Sequence, residues 1–216
     1  MIGAGALGSP VAAYLAGAGV GRLGILDDAT VSAKDLHRQH LHFAPDHGVP
    51  KAHSAAAKLT YLNPEIVVEP YNVRFGADNA EGLLLDADLV IDCSNDPATE
   101  EIVNRSCCAA GRSFVAAAYG QRSGRVFSFV PGAGGCRVCA GQAGHGFTDV
   151  EDAPPDQPTW LGPLAGTVGS LQALVALDVL AHGRDSAWRG WTRIDLVEPG
   201  LYRQRLQPRS DCPYCG

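Results

Sequence analysis

The segment Gly3-Ala4-Gly5-Ala6-Leu7-Gly8, at the very start of the chain, leaves few folds open. In such a loop Gly3 permits a tight turn, Gly5 lets the backbone approach phosphate, and Gly8 lets a helix pack closely on the preceding strand. A helix starting there offers unpaired N–H groups to an anion. Ser9 reads as the N-cap and Pro10 as a first-turn residue, with Val11 to Ala18 as the helix and Gly19 to Gly21 as its stop. Leu23 to Asp27 is the next strand, closing a β-α-β unit. Asp27 follows Gly8 by nineteen residues, at the strand end where an acid takes ribose hydroxyls. Tight strand-helix turns also select glycine, so the loop alone is weak; Asp27 tips it toward a nucleotide site. Only Met1 and Ile2 precede the loop, so either the first strand is stunted or the chain starts late.

Further along, Lys51 to Leu62 carries a helical pattern closed by Asn63-Pro64. Ile66 to Tyr71 reads as a strand, Ala87 to Asp92 as a buried strand, Glu100 to Ala110 as a helix, and Phe114 to Tyr119 and Arg125 to Val130 as strands. Alternating strands and helices predict an α/β fold: a Rossmann-like, doubly wound, largely parallel sheet in one domain over residues 1–216. Gly141 to Pro163 shifts to Gly, Asp and Pro and reads as a long crossover loop. Gly169 to Leu180 then reads as an amphipathic helix, and Arg193–Val197 with Tyr202–Leu206 as a C-terminal strand pair. The net charge of −6, with acids and bases interspersed, argues against a nucleic-acid surface. No apolar run approaches the roughly 18–20 residues of a membrane span. The seven cysteines read as cytoplasmic thiols, not a secreted disulfide framework.

Two Cys-x-x-Cys pairs, Cys136/Cys139 and Cys212/Cys215, sit far apart in this chain. Each can give two thiolates to one metal, and together they make a tetrahedral Cys₄ set with no position for water or substrate. That predicts a structural Zn²⁺ clipping the tail, about residues 193–216, to the domain; a redox pair is the rival. Cys93, Cys107 and Cys108 read as small core residues. After Asp27 comes a polar, basic-tipped segment ending Leu36-His37-Arg38-Gln39, then Gly48-Val49-Pro50-Lys51 at a helix start. Arg38 and Lys51 could set two cations beside phosphates, or be ordinary surface bases.

The motifs Gly3–Pro10, Leu26–Gln39, Gly48–Lys51, Asn63-Pro64, Asp88–Asp96 and Gly169–Ala173, in that order and with both cysteine pairs, resemble the ThiF/MoeB/HesA family. These are bacterial relatives of ubiquitin-activating E1 enzymes. The resemblance implies an adenylyltransferase that uses ATP and Mg²⁺ on the C-terminal Gly-Gly carboxylate of a small ubiquitin-fold sulfur-carrier protein, working as a homodimer. By position it implies that Gly3, Gly5 and Gly8 form the phosphate loop and that Asp27 takes the ribose. Arg38 and Lys51 would bind the triphosphate and stabilise its transition state. Asp35, Gln39, Asn95 and Asp96 complete the implied cofactor site, with Asp96 as a candidate metal acid.

Departures from the pattern are visible too. The family's Asp-Cys-Thr-Asp-Asn reads here Asp92-Cys93-Ser94-Asn95-Asp96, which reverses the last two residues and makes Asn95 a weak Mg²⁺ ligand. Asp35 replaces a common asparagine. Thr148 to Trp160 holds no cysteine, which argues for adenylation without thioester chemistry. Two alternatives stand beside the adenylyltransferase. An NAD-dependent oxidoreductase shares the glycine loop and Asp27, and a degenerate family member would bind nucleotide or partner without turnover.

Overall fold

The computed structural model describes residues 1–142 and 161–216. Among these, the elements are α1 (Gly8–Gly17), β1 (Arg22–Leu26), α2 (Lys51–Leu62), β2 (Val67–Tyr71), α3 (Ala80–Leu84), β3 (Leu89–Asp92) and α4 (Pro97–Ala110). There follow β4 (Ser113–Tyr119), β5 (Ser123–Phe129), α5 (Arg137–Gln142), α6 (Gly162–His182), β6 (Gly190–Asp195) and β7 (Gly200–Gln204).

The residue before the glycine loop pairs on both sides. Ile2 forms parallel bridges to Leu26 and to Asp92, and so joins β1-β2 to β3-β4-β5-β6-β7 in the order β2-β1-Ile2-β3-β4-β5-β6-β7. Ile2 N donates to Ile91 O (2.8 Å), and Cys93 N donates to Ile2 O (2.8 Å). The pairings β1-β2 and β3-β4 are parallel, whereas β4-β5, β5-β6 and β6-β7 are antiparallel. The parallel part is the nucleotide-type half, and the C-terminal β segment forms an antiparallel extension of the same sheet.

Both faces of the sheet are covered, as parallel strands require. α1, α2 and α6 share one core with Ile25, Val115 and Val126. α3 and α4 share the other with Phe114, Phe127 and Trp191, and with Cys136, Cys139 and Cys212. Alternation along β4 divides its residues between the two: Phe114 and Ala116 face one side, Val115 and Ala117 the other.

Several boundaries differ from expectation. Leu7, not Ser9, is the N-cap of α1. Ser9 sits inside the first turn, buried, with no hydrogen-bond partner for its hydroxyl. α6 begins at Gly162, earlier than the periodicity predicts, with Pro163 in its first turn, so the end of the expected crossover loop is helical. The stretch Thr148 to Trp160 lies outside the described residues. Contrary to the sequence reading, residues Gly162–Asp185 are long and apolar enough to cross a membrane by length and composition, with a mean hydropathy of 1.6. The helix is instead built into the core, where Leu164, Val168, Gln172, Val175 and Val179 are buried.

Candidate nucleotide site and cysteine cluster

At the carboxyl ends of the parallel strands lies a cavity of about 640 Å³, lined by Gly3, Gly5, Asp27, Arg38, Gln39, Lys51, Asn95 and Asp96. Open α/β sheets bind ligands at this crevice. Two glycines are dictated by space. Gly3 has φ +90°, and a Cβ there would stand 3.0 Å from Cys93 O. At Gly8, which packs behind the pocket wall, a Cβ would come within 2.2 Å of Gly3 O. The turn therefore closes only without side chains, and it aims the start of α1 at the cavity. At Gly5 the neighbour is the Gln39 side chain, with Nε2 3.7 Å from where a Cβ would lie. Gln39 is buried, and its Oε1 has no hydrogen-bond partner.

Asp27 ties its strand end to the loop: Oδ2 accepts from Ala4 N (2.8 Å) and Oδ1 from Ala29 N (2.9 Å). A carboxylate offers about four acceptor sites, so both oxygens keep capacity for hydroxyl donors. A second tie went unnoticed in the sequence. His42, 2% exposed, lies with Nε2 2.8 Å from Ala4 O and Nδ1 2.9 Å from Ser54 Oγ, joining the loop to α2. Burial lowers its pKa, which keeps the ring neutral. A lone buried histidine in a polar segment gives no sequence signal of such a role.

Arg38 and Lys51 converge as expected, through Asp35. The Arg38 Nη2 lies 3.1 Å from Asp35 Oδ1, and the Lys51 Nζ 3.3 Å from Asp35 Oδ2. Asp35, implied by the resemblance to belong to the cofactor site, is 4% exposed and does not line the cavity; it tethers the two cations. With one oxygen per cation, both heads are held toward the cavity, and the cluster keeps a net positive charge. Gly162, at the start of α6, packs against this segment, and a Cβ on it would lie 2.8 Å from His37 O.

The reversed pair behaves differently from a metal-ligand pair. Asn95 has a left-handed backbone (φ 56°), and both side-chain heteroatoms bond the main chain of Tyr119. Asp96 is the N-cap of α4, its Oδ2 accepting from Thr99 N (3.0 Å) and Thr99 Oγ1 (2.7 Å). The Thr99 hydroxyl, followed by backbone amides and Arg74, holds this carboxyl below its ordinary range. Mg²⁺ prefers carboxylate oxygen. Asn95, a neutral amide, does not fit that need, whereas Asp96 supplies a carboxylate at the cavity wall. Arg74 and Tyr119 also line the cavity and were not anticipated. The motif helix α6 contributes Gln172, fully buried, whose Nε2 donates to Asp92 O (2.7 Å) and Val115 O (3.1 Å) beneath the site.

At the other end of the domain the four paired cysteines meet. Their sulfur atoms lie within 4.8 Å of one another, with Cys136–Cys212 at 3.6 Å and Cys139–Cys215 at 3.5 Å. A disulfide would need about 2.05 Å. Tetrahedral zinc, with Zn–S near 2.3 Å, sets sulfur–sulfur edges of about 3.8 Å, so the donor set fits that ion. Charged groups brace the cluster. Arg137, between the first pair, bonds Glu100 (3.1 Å) and Glu101 (3.2 Å) on α4, and Glu100 also pairs with buried Arg125 (2.7 Å). Tyr214, between the second pair, reaches Glu101 (3.3 Å). Cys93 and Cys107 are buried thiols whose pKa burial raises, the latter to about 12, which suits the inert role expected of them. Cys108 is half-buried beside Cys136.

The family model described as "ThiF family" matches residues 1–215. The chain belongs to the ThiF family. Among curated proteins, the "Adenylyltransferase and sulfurtransferase MOCS3" of Dictyostelium discoideum is 32% identical over 226 residues, taking in 100% of this chain and 51% of that protein. The "SAMP-activating enzyme E1" of Haloferax volcanii is 34% identical over 220 residues, covering 100% of this chain and 79% of its own length. Among solved structures, E. coli MccB with AMPCPP and MccA has a TM-score of 0.83 at 21% identity, covering 100% of this chain and 66% of that one. That likeness establishes the fold. This ThiF-family chain thus spans about half the length of the MOCS3 protein it matches.

Proposed function

We propose that this chain adenylates the C-terminal carboxylate of a small ubiquitin-fold sulfur-carrier protein ending in Gly-Gly, using ATP and releasing pyrophosphate. The observation that carries the reading is the Arg38–Asp35–Lys51 cluster in one cavity with the glycine loop and Asp27. Attack of a carboxylate on the α-phosphate brings two anions together, and preorganised cations lower that barrier by stabilising the charge that develops. In this reading the loop and the start of α1 take the phosphates, Asp27 takes ribose hydroxyls, and Gln39 packs beside Gly5. Asp96 would hold Mg²⁺, which when bound offsets triphosphate charge.

Cys136, Cys139, Cys212 and Cys215 would hold a structural Zn²⁺. Exposed Tyr14 and Leu174, which border an apolar groove of about 450 Å³ between α1 and α6, support a homodimer through that face. Reduced thiols suit a cytoplasmic protein.

Hydride transfer to NAD would leave the two tethered cations without a task. The engagement of Asn95 with Tyr119 favours one second reading, a relative that binds nucleotide without turnover. Intact mass spectrometry separates them. Incubation with ATP, Mg²⁺ and a Gly-Gly-ending carrier should add one AMP to the carrier. Unmodified carrier, with ATP bound to the protein, supports the second reading. Quenching of NADH fluorescence with no ATP binding would overturn the proposal.

A further inference from the structure

Two glycines of α6 touch two different pieces of the pocket. Gly162 and Gly169 stand two helical turns apart, so they share a face at a separation of about 10 Å. A Cβ on Gly162 would lie 2.8 Å from His37 O and 3.5 Å from Arg38 Cα and Cβ. A Cβ on Gly169 would lie 2.8 Å from Leu7 O and 2.5 Å from Pro10 Cγ, where the glycine loop passes into α1. Arg38 and Leu7 both line the cavity. Gly166, between the two, has nothing within 4 Å of where its Cβ would lie.

The helix itself is not free to retreat. Gln172 Nε2 donates to Asp92 O (2.7 Å) and Val115 O (3.1 Å), and its Oε1 accepts from the Cys93 thiol (3.4 Å). Leu164, Val168, Val175 and Val179 are buried on the same helix. The segment facing Gly162 is the softer partner, a short turn over Ala33–Asp35 followed by exposed His37. The Arg38 head is held from within that segment, by Asp35 Oδ1 (3.1 Å) and by Lys34 O (3.0 Å), so it travels with its own backbone.

We propose that α6 is a spacer that sets the distance between Arg38 and the glycine loop, with Gly162 the positioning residue on the cation side and Gly169 on the loop side. The kinetic consequence rests on the adenylation reading. A misplacement of about 1 Å can cost a hundredfold in rate, so a shift of roughly half that at Arg38 predicts about tenfold.

Gly162→Ala should therefore lower pyrophosphate-exchange kcat about tenfold, with the carrier KM unchanged. By calorimetry its ATP affinity should weaken several-fold and its AMP affinity hold, which also shows that the variant is folded. In an Arg38→Ala background the same change should add nothing, because no guanidinium remains to be misplaced. Gly169→Ala, which moves the loop, should weaken ATP and AMP alike. Gly166→Ala should leave rate and both affinities unchanged and raise the melting temperature by about 2–4 °C. Wild-type exchange by Gly162→Ala, an equal loss in the Arg38→Ala background, or AMP binding lost along with ATP binding would overturn the proposal. If the wild type binds ATP but exchanges nothing, the adenylation reading fails, and the ATP-against-AMP comparison still decides the spacer.

Discussion

The nucleotide pocket and the cysteine cluster are both assembled from distant parts of the chain, yet they are organised in opposite ways. The cluster is a closed knot. Three of its four cysteines are buried, the sulfurs touch, and α4 supplies the acids that brace it. The pocket is an open cavity whose charged groups are held from behind, by Asp35 on two cations, with His42 fixing the glycine loop beside them. A site meant to stabilise a fold consumes its own valences. A site meant to act on a ligand keeps them available and spends other residues on aim.

The largest expected effect belongs to the knot. Cys212→Ser, or chelation of the metal, should lower unfolding free energy by more than about 4 kcal/mol, since loss of a structural metal is among the severest single changes. Metal analysis should find one zinc per chain in the wild type and none in the variant. A metal-free wild type of unchanged melting temperature would break the contrast between the two regions.

Next comes the pocket. Arg38→Ala and Lys51→Ala should each cost roughly 10²–10³ in adenylation rate, the scale for one preorganised electrostatic group. Melting temperatures should move little, and ATP affinity should fall less than rate. A comparable loss of stability would mean that the cations, like the cysteines, serve the fold.

Beneath the pocket, Asp92 is buried, and desolvation, followed by Glu100 and Asp96, lifts its pKa to about 7. The folded state therefore holds a proton that the unfolded chain releases near pH 4. Its contribution is full below about pH 4 and shrinks as pH rises toward 7. Denaturant titration should find the wild type losing about 2 kcal/mol relative to Asp92→Asn between pH 5 and pH 7. Parallel profiles for the two proteins would contradict this assignment.

The smallest effect is at Ser9, whose buried hydroxyl has no partner. Ser9→Ala should be neutral or stabilising by up to about 1 kcal/mol. A loss above that, seen in urea melts, would reveal a bond the hydroxyl makes.

What could be read from sequence follows the same division. Cys-x-x-Cys spacing is local and nearly sufficient, so the cluster was legible in full. The glycine loop, Asp27 and Lys51 were legible because turn and helix-start chemistry is local too; α2 begins at Lys51 as the pattern predicts. Tyr119, His42 and Arg74 carried no local signal, since their roles arise only when the ends of β4, α1 and β2 meet. The Asp35 and Asn95 positions were legible, but their protein partners were not, because nothing along the chain tells which neighbour will claim a side chain. Ser9 misled for a related reason. It has the composition of a cap, but the glycine turn makes Leu7 the N-cap and draws Ser9 into the first turn, where its hydroxyl is buried.

The measurement closest to the central claim is isotopic exchange of pyrophosphate into ATP, with Mg²⁺ and a Gly-Gly-ending carrier protein. The account predicts exchange that requires the carrier's free C-terminal carboxylate and falls by two orders of magnitude or more when Arg38 and Lys51 are both replaced by alanine. Exchange undiminished by those replacements, or absent in a wild type that binds ATP and carrier, would contradict it.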